Sequence, residues 1–293
     1  MNKHYASAIA AFVIWGFFPL VLRTLHTHTA GEILYFRILF SLAILIVIIG
    51  AFMRRKSNEN WTQFLSLSKA TQRNIIVLTL LGGLLLTVNW LVFIYVVNEV
   101  NIKTASFSYL ICPVMTAGLG YLLLRERMVP IQWFAILLCA LSCVLMGMNN
   151  VTELGYSLLI AFSYALYLIT QRKNQGFNRL IVLGVQVLFA FILLNFFFGK
   201  LVGAAEVDMR FYLIVACIAL FFTVLPLFLN LYALNKINAA TIGILMYINP
   251  LINFMLAFFI VRETATAVQI AGYAVIALAL VLFNYPLLKR MAG

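Results

Sequence analysis

An all-α integral membrane fold of ten transmembrane helices, arranged as two inverted five-helix repeats, is the architecture this sequence predicts. Three observations predict it: a composition too apolar for water, ten separate apolar runs of near-membrane length, and polar landmarks that recur at an offset of 137 residues.

The first observation sets the solvent. Of 293 residues, 65% are hydrophobic and only 10% charged, with a mean hydropathy of +1.07. A soluble domain of that composition would precipitate, so lipid surrounds this chain. In lipid the backbone must satisfy its own hydrogen bonds, which leaves helices or closed barrels. The apolar runs last about 18 to 24 residues without alternating polarity, which is helical rather than strand patterning. Spans fall near residues 5–22, 33–52, 75–97, 104–124, 129–148, 154–170, 180–198, 211–234, 239–261 and 267–287. The first is too long for a signal-peptide core, and Ala6 and Ala8 precede it where no cleavage site would lie, so it reads as a helix.

Charge then orients the helices. With the N-terminus inside, fourteen Lys and Arg residues fall in cytoplasmic segments, among them Arg54-Arg55-Lys56, Arg125, Arg127, Arg172-Lys173, Lys289 and Arg290. Only Arg23, Lys103, Lys200, Arg210 and Arg262 fall on the opposite side. This is the positive-inside bias, and it places both termini in the cytoplasm. It also accounts for the net charge of +12 without nucleic acid as a partner. The expected partners are membrane lipid and a small-molecule substrate, with monomer and homodimer both open.

The repeat is the third observation. At an offset of 137, Tyr95 aligns with Tyr232, Asn98 with Asn235, Asn101 with Asn238, Thr104 with Thr241, Pro113 with Pro250, Arg125-Glu126 with Arg262-Glu263, and Gln132 with Gln269. Polar landmarks in register over some 40 residues indicate duplication. The boundary falls at 150, giving repeats 1–150 and 151–293. Five spans per copy is an odd number, so the second copy enters the membrane the other way up. Such repeats suit alternating access, in which one half closes a central site as the other opens it.

Candidate working residues follow from polarity inside the spans. Pro19, Pro113, Pro226 and Pro250 interrupt helices and free the carbonyls of Trp15, Tyr109, Phe222 and Met246, making them candidate kinks or gates. Asn249 and Asn253 share one helix face and need partners, either across a helix interface or in an aqueous cavity. Asn89, Trp90 and Tyr95 pose the same pair of alternatives. Arg37 is the one strongly charged residue well inside a span. It is either a cavity cation that attracts an anionic group, or a structural pair or snorkeller. Glu32, five residues before it, is badly placed round the helix to pair with it.

Absences narrow the chemistry. No Walker, HExxH or GxSxG motif is present, so no enzyme and no cofactor is expected. The eight acids map to loops or helix ends, which leaves proton coupling without an obvious seat. Cys112, Cys139, Cys143 and Cys217 have neither CxxC spacing nor a neighbouring His, so they read as packing residues rather than zinc ligands or disulfides. His4, His26 and His28 read as solvated, and no metal site is expected.

These residues also carry a family resemblance. Ile14-Trp15-Gly16, Glu32-Ile33-Leu34 with Arg37, Asn89-Trp90-Leu91 through Asn98, Tyr109 with Pro113, and Glu126-Arg127 are its first-half landmarks. Gln132-Trp133, Thr223-Val224-Leu225-Pro226, Tyr247, Asn249-Pro250 and Glu263 complete the set. From about residue 5 to 285 the chain resembles the EamA-type branch of the drug/metabolite transporter superfamily, in particular its RarD-like members. Phe36 stands where such proteins often have His, and Cys112 where others have Asn. The resemblance implies a bacterial inner-membrane carrier of small organic metabolites or drugs, often an exporter, with a cavity between the halves. Trp15, Arg37, Asn89, Trp90, Tyr95, Tyr109, Tyr247, Asn249 and Asn253 are the expected substrate-binding residues.

Overall fold

The structure is a computed structural model that describes residues 3–125, 128–174, 176–203, 208–234 and 245–292. Every regular element among the described residues is helical. The first half comprises α1 (Lys3–Leu22), α2 (Ala30–Phe52), α3 (Arg54–Ser66), α4 (Lys69–Tyr95), α5 (Ile102–Leu124) and α6 (Pro130–Asn149). The second comprises α7 (Val151–Lys173), α8 (Arg179–Asn195), the single turn α9 (Phe198–Leu201), α10 (Met209–Cys217), α11 (Leu225–Leu234), α12 (Ile248–Met255) and α13 (Ala267–Ala292). Six of the helical stretches are long and apolar enough to cross a membrane: 3–25, 30–52, 69–100, 102–124, 151–173 and 209–230. Shorter apolar helices cover 130–145, 179–195, 248–260 and 267–283. Residues 239–244 of the ninth expected span, together with Asn235, Asn238, Thr241 and Glu126 of the repeat, lie outside the described residues.

Helix starts follow local chemistry. Short polar side chains cap them, as Thr29 accepts from the Glu32 amide, Ser68 from Thr71, Asn101 from Thr104 and Asp208 from Phe211. Each satisfies a backbone donor that the first helical turn leaves free. The bundle is apolar outside as well as inside: Ile46, Val47, Leu122, Leu137 and Phe259 are exposed. Such a surface belongs in hydrocarbon. Cys217 is exposed on that surface too, which departs from the packing role expected for it, while Cys112 and Cys139 are buried.

α3 was not among the predicted spans because it is no span. It carries Arg54, Arg55 and Lys56, buries no residue, and stacks Trp61 on Phe64. Its composition is that of a helix lying along a membrane interface.

Packing brings distant elements together. α6 runs along α13, α4 and α5 run along α7, and α1 lies against α11 and α12. At Gly16 a methyl group would stand 2.8 Å from the Ile252 side chain, so glycine is what lets α1 approach α12.

Two loops share an unusual conformation. Arg125 and Arg262, 137 residues apart, are the non-glycine residues with left-handed backbone among those described, at φ 56° and 58°. Seven residues after each arginine, the Gln132 and Gln269 carboxamides accept from the amides of Val129 and Thr266. The Glu263 carboxylate reaches further, accepting from the amides of Ile102 at 2.9 Å and Lys103 at 3.1 Å and pairing with Arg23 at 3.2 Å. Lys103 in turn donates to the Thr264 carbonyl. One carboxylate thus ties the start of α5 to the end of α1.

Candidate functional site

Arg37 organises the interior. It sits about two turns into α2 and is only 3% exposed, so it does not snorkel to the interface. Its Nε donates to the Thr223 hydroxyl at 2.8 Å. Its guanidinium carbon lies 4.8 Å from the Phe18 ring centre and 4.7 Å from that of Trp90. Two aromatic faces stabilise a cation in a dry site without neutralising it. Nη1 is buried with no hydrogen-bond partner, and among the described residues no carboxylate pairs with Arg37. Glu32 instead bonds His28, at 3.2 Å. That contact also removes His28 from the solvated role expected of it, as stacking on Tyr232 does for His4.

Thr223 owes its position to a π-helical segment, residues 218–224, between α10 and α11. The wider turn lets its hydroxyl donate to the Ile218 carbonyl at 3.2 Å while accepting from Arg37. One turn on, Pro226 has no N–H to offer Phe222, and the Phe222 carbonyl accepts from the Trp15 indole at 3.1 Å. The proline predicted a free carbonyl, and a tryptophan 207 residues away satisfies it. Met246, the carbonyl left free by Pro250, accepts from the Asn249 amide at 3.2 Å.

Around Arg37 lies a cavity with about 60 Å³ available to the centre of a water-sized sphere, room for roughly four waters. Of the residues singled out in the sequence, Trp15, Arg37, Asn89, Trp90, Tyr109 and Asn249 line it. Asn89 also bridges helices, donating to the Ile160 carbonyl at 2.8 Å and to Ser163. Asn249 accepts from Asn253 at 2.9 Å, so these two amides satisfy one another first.

Tyr95, Tyr247 and Asn253 are not among the lining residues. Tyr95 is 40% exposed with its ring against Tyr156, because it points to the outer face of α4. Asn253 is fully buried one turn beyond Asn249. Sequence reasoning missed most of the aromatic wall, including Phe12, Phe18, Phe93, Tyr164, Tyr167 and Phe222. In lipid-spanning helices an aromatic facing a cavity and one facing hydrocarbon have the same sequence signature; only the three-residue spacing of Tyr164 and Tyr167 hints at a common face.

The cavity draws on α1, α2, α4 and α5 of the first half and on α7, residues 222–227 and 246–249 of the second. The model of the EamA-like transporter family matches residues 2–148 and again 152–285. The protein named "Uncharacterized transporter YojE" of Bacillus subtilis is 27% identical over 95% of this chain and 92% of its own length. "Protein RarD" of Escherichia coli K12 is 28% identical over 94% of this chain and 92% of its own. A crystal structure that covers the whole chain superposes with a TM-score of 0.63 at 14% identity, a likeness of fold alone. Matched almost end to end by the family model, and similar along nearly its whole length to RarD proteins, this multi-pass membrane chain belongs to the EamA-like transporter family as a RarD-like member.

Proposed function

We propose that the protein is a secondary transporter that exports a small organic metabolite or drug across the bacterial inner membrane by alternating access. Two inverted repeats, residues 1–150 and 151–293, rock about the cavity, with both termini in the cytoplasm. The observation that carries this reading is the buried cation in an aromatic pocket lined by residues from both ends of the chain. A structural protein would fill its middle with apolar packing, and an intramembrane cation needs a functional reason.

Further support comes from the two left-handed arginines and their glutamine-capped loops. α5 is 23 residues and therefore about 34 Å long, which puts Arg125 at the opposite end of the bundle from Ile102, the residue that Glu263 holds. Matching loops at opposite ends are what an inverted duplication produces. The positive-inside pattern of the sequence, which counts Arg125 among fourteen cytoplasmic basic residues, supports assigning that end to the cytoplasm. The names of the relatives, transporters and RarD proteins, agree with this reading.

A second reading, an uptake carrier or exchanger of the same fold, is favoured by one observation. Among the described residues no carboxylate neutralises Arg37, so a carrier that returns without substrate must close over a bare charge, which is costly in lipid.

The test presents proteoliposomes with an isotope-labelled cell extract and identifies what is trapped by mass spectrometry. The wild-type protein accumulates at least one compound above protein-free liposomes, and Arg37→Ala, inserted to the same level, does not. No accumulation by the wild type ends the transport reading, and unchanged accumulation by the variant removes Arg37 from the mechanism.

A further inference from the structure

We infer that the ligand class of this cavity is an organic anion with a flat apolar body and no cationic group, held through its carboxylate by Arg37. The inference rests on the transport reading only for movement; the binding chemistry stands on the cavity itself.

Charge is the first argument. Arg37 is 3% exposed, its Nε donates to a neutral hydroxyl, and among the described residues its Nη1 donor is buried without an acceptor. A buried guanidinium carries a large desolvation cost, which an anion offsets through a charge-assisted bond. A second argument is what the cavity lacks: among the described residues no Asp or Glu lines it, so an ammonium group placed there would meet no counter-charge and would repel Arg37. Cations and zwitterions are thereby disfavoured.

The walls set the body of the ligand. Phe18 and Trp90 already lie against the guanidinium, so a carboxylate must approach the free Nη1 edge in the plane of the fork. Much of the remaining cavity wall is aromatic, with Phe93, Tyr109, Tyr164 and Phe222 among the lining residues. Rings pack on rings with specific offset or edge contacts, which favours a planar hydrocarbon body over a polyhydroxylated one.

Four small probes of similar shape separate the possibilities: phenylacetate, the neutral phenylacetamide, the cationic phenethylammonium, and zwitterionic L-phenylalanine. Their binding to the purified full-length protein is read by thermal shift and titration calorimetry, the isosteres controlling for partition into detergent. Phenylacetate is expected to bind at least ~10-fold tighter than each of the others, the factor contributed by one charge-assisted hydrogen bond. Arg37→Gln should abolish that preference, while Arg37→Lys, which keeps the charge but loses the fork, should retain part of it. Equal binding of the amide, tighter binding of the cation or the zwitterion, no binding of any probe, or an unchanged preference in Arg37→Gln overturns the inference. Should neither variant fold, the wild-type comparison decides alone. Flux separates the two readings: phenylacetate that binds but is never moved in proteoliposomes sinks transport and leaves the ligand class standing. Transport of labelled compounds that are not anions does the reverse.

Discussion

Replacing Thr223 by valine tests whether the link between α2 and the π-helical segment is made by one polar contact. The hydroxyl accepts from Arg37 Nε at 2.8 Å, and both residues are at most 3% exposed, so bulk solvent does not compete for the bond. Valine preserves the shape and opens no cavity, so the change removes only the hydroxyl's two bonds, to Arg37 and to the Ile218 carbonyl. With Nη1 already unpartnered, the variant leaves a second buried guanidinium donor without an acceptor. A bond to a charged group is worth about 1.5 to 3 kcal/mol, and Thr223→Val should lose about 2 kcal/mol of stability. Thr223→Ser keeps the oxygen and should lose far less. In an Arg37→Met background the valine substitution forfeits only the bond to the Ile218 carbonyl, so it should cost correspondingly less. The double-mutant cycle therefore predicts a coupling of about 2 kcal/mol. Its measurement is reversible unfolding from mixed micelles by increasing sodium dodecyl sulfate, followed by tryptophan fluorescence. A coupling below about 0.5 kcal/mol, or a serine variant as unstable as the valine one, would refute the reasoning.

Two further outcomes follow from the packing. Glu263→Ala removes the acceptor of the Ile102 and Lys103 amides and the partner of Arg23, about 2 kcal/mol at the start of α5. Hydrogen exchange at those two amides should accelerate roughly 30-fold, and unchanged protection would show that the carboxylate holds nothing. Gly16→Ala drives a methyl to 2.8 Å from Ile252 and should cost about 1 to 3 kcal/mol; a second change, Ile252→Ala, should restore part of it. Gly16→Ala as stable as wild type would mean that α1 and α12 part freely.

Hydropathy is a sum over neighbours in sequence, and for that reason the sequence by itself determined the membrane, the helices and most of their limits. Polar landmarks at fixed offset predicted a duplication, and two of them, Arg125 and Arg262, share a left-handed backbone. Proline chemistry is equally local: Pro226 frees the Phe222 carbonyl in any fold that keeps the helix. What answers that carbonyl is not local. Trp15 reaches it only because α1 packs on α11, and Thr223 meets Arg37 only because a π turn rotates it inward. The same holds for the cavity wall, where Phe18 and Tyr95 are alike as apolar aromatics in spanning helices, yet one covers the cation and the other faces outward. Lipid accepts an aromatic as readily as a protein interior does, so the sequence carries no penalty that would tell the two directions apart, and only helix-against-helix packing decides between them.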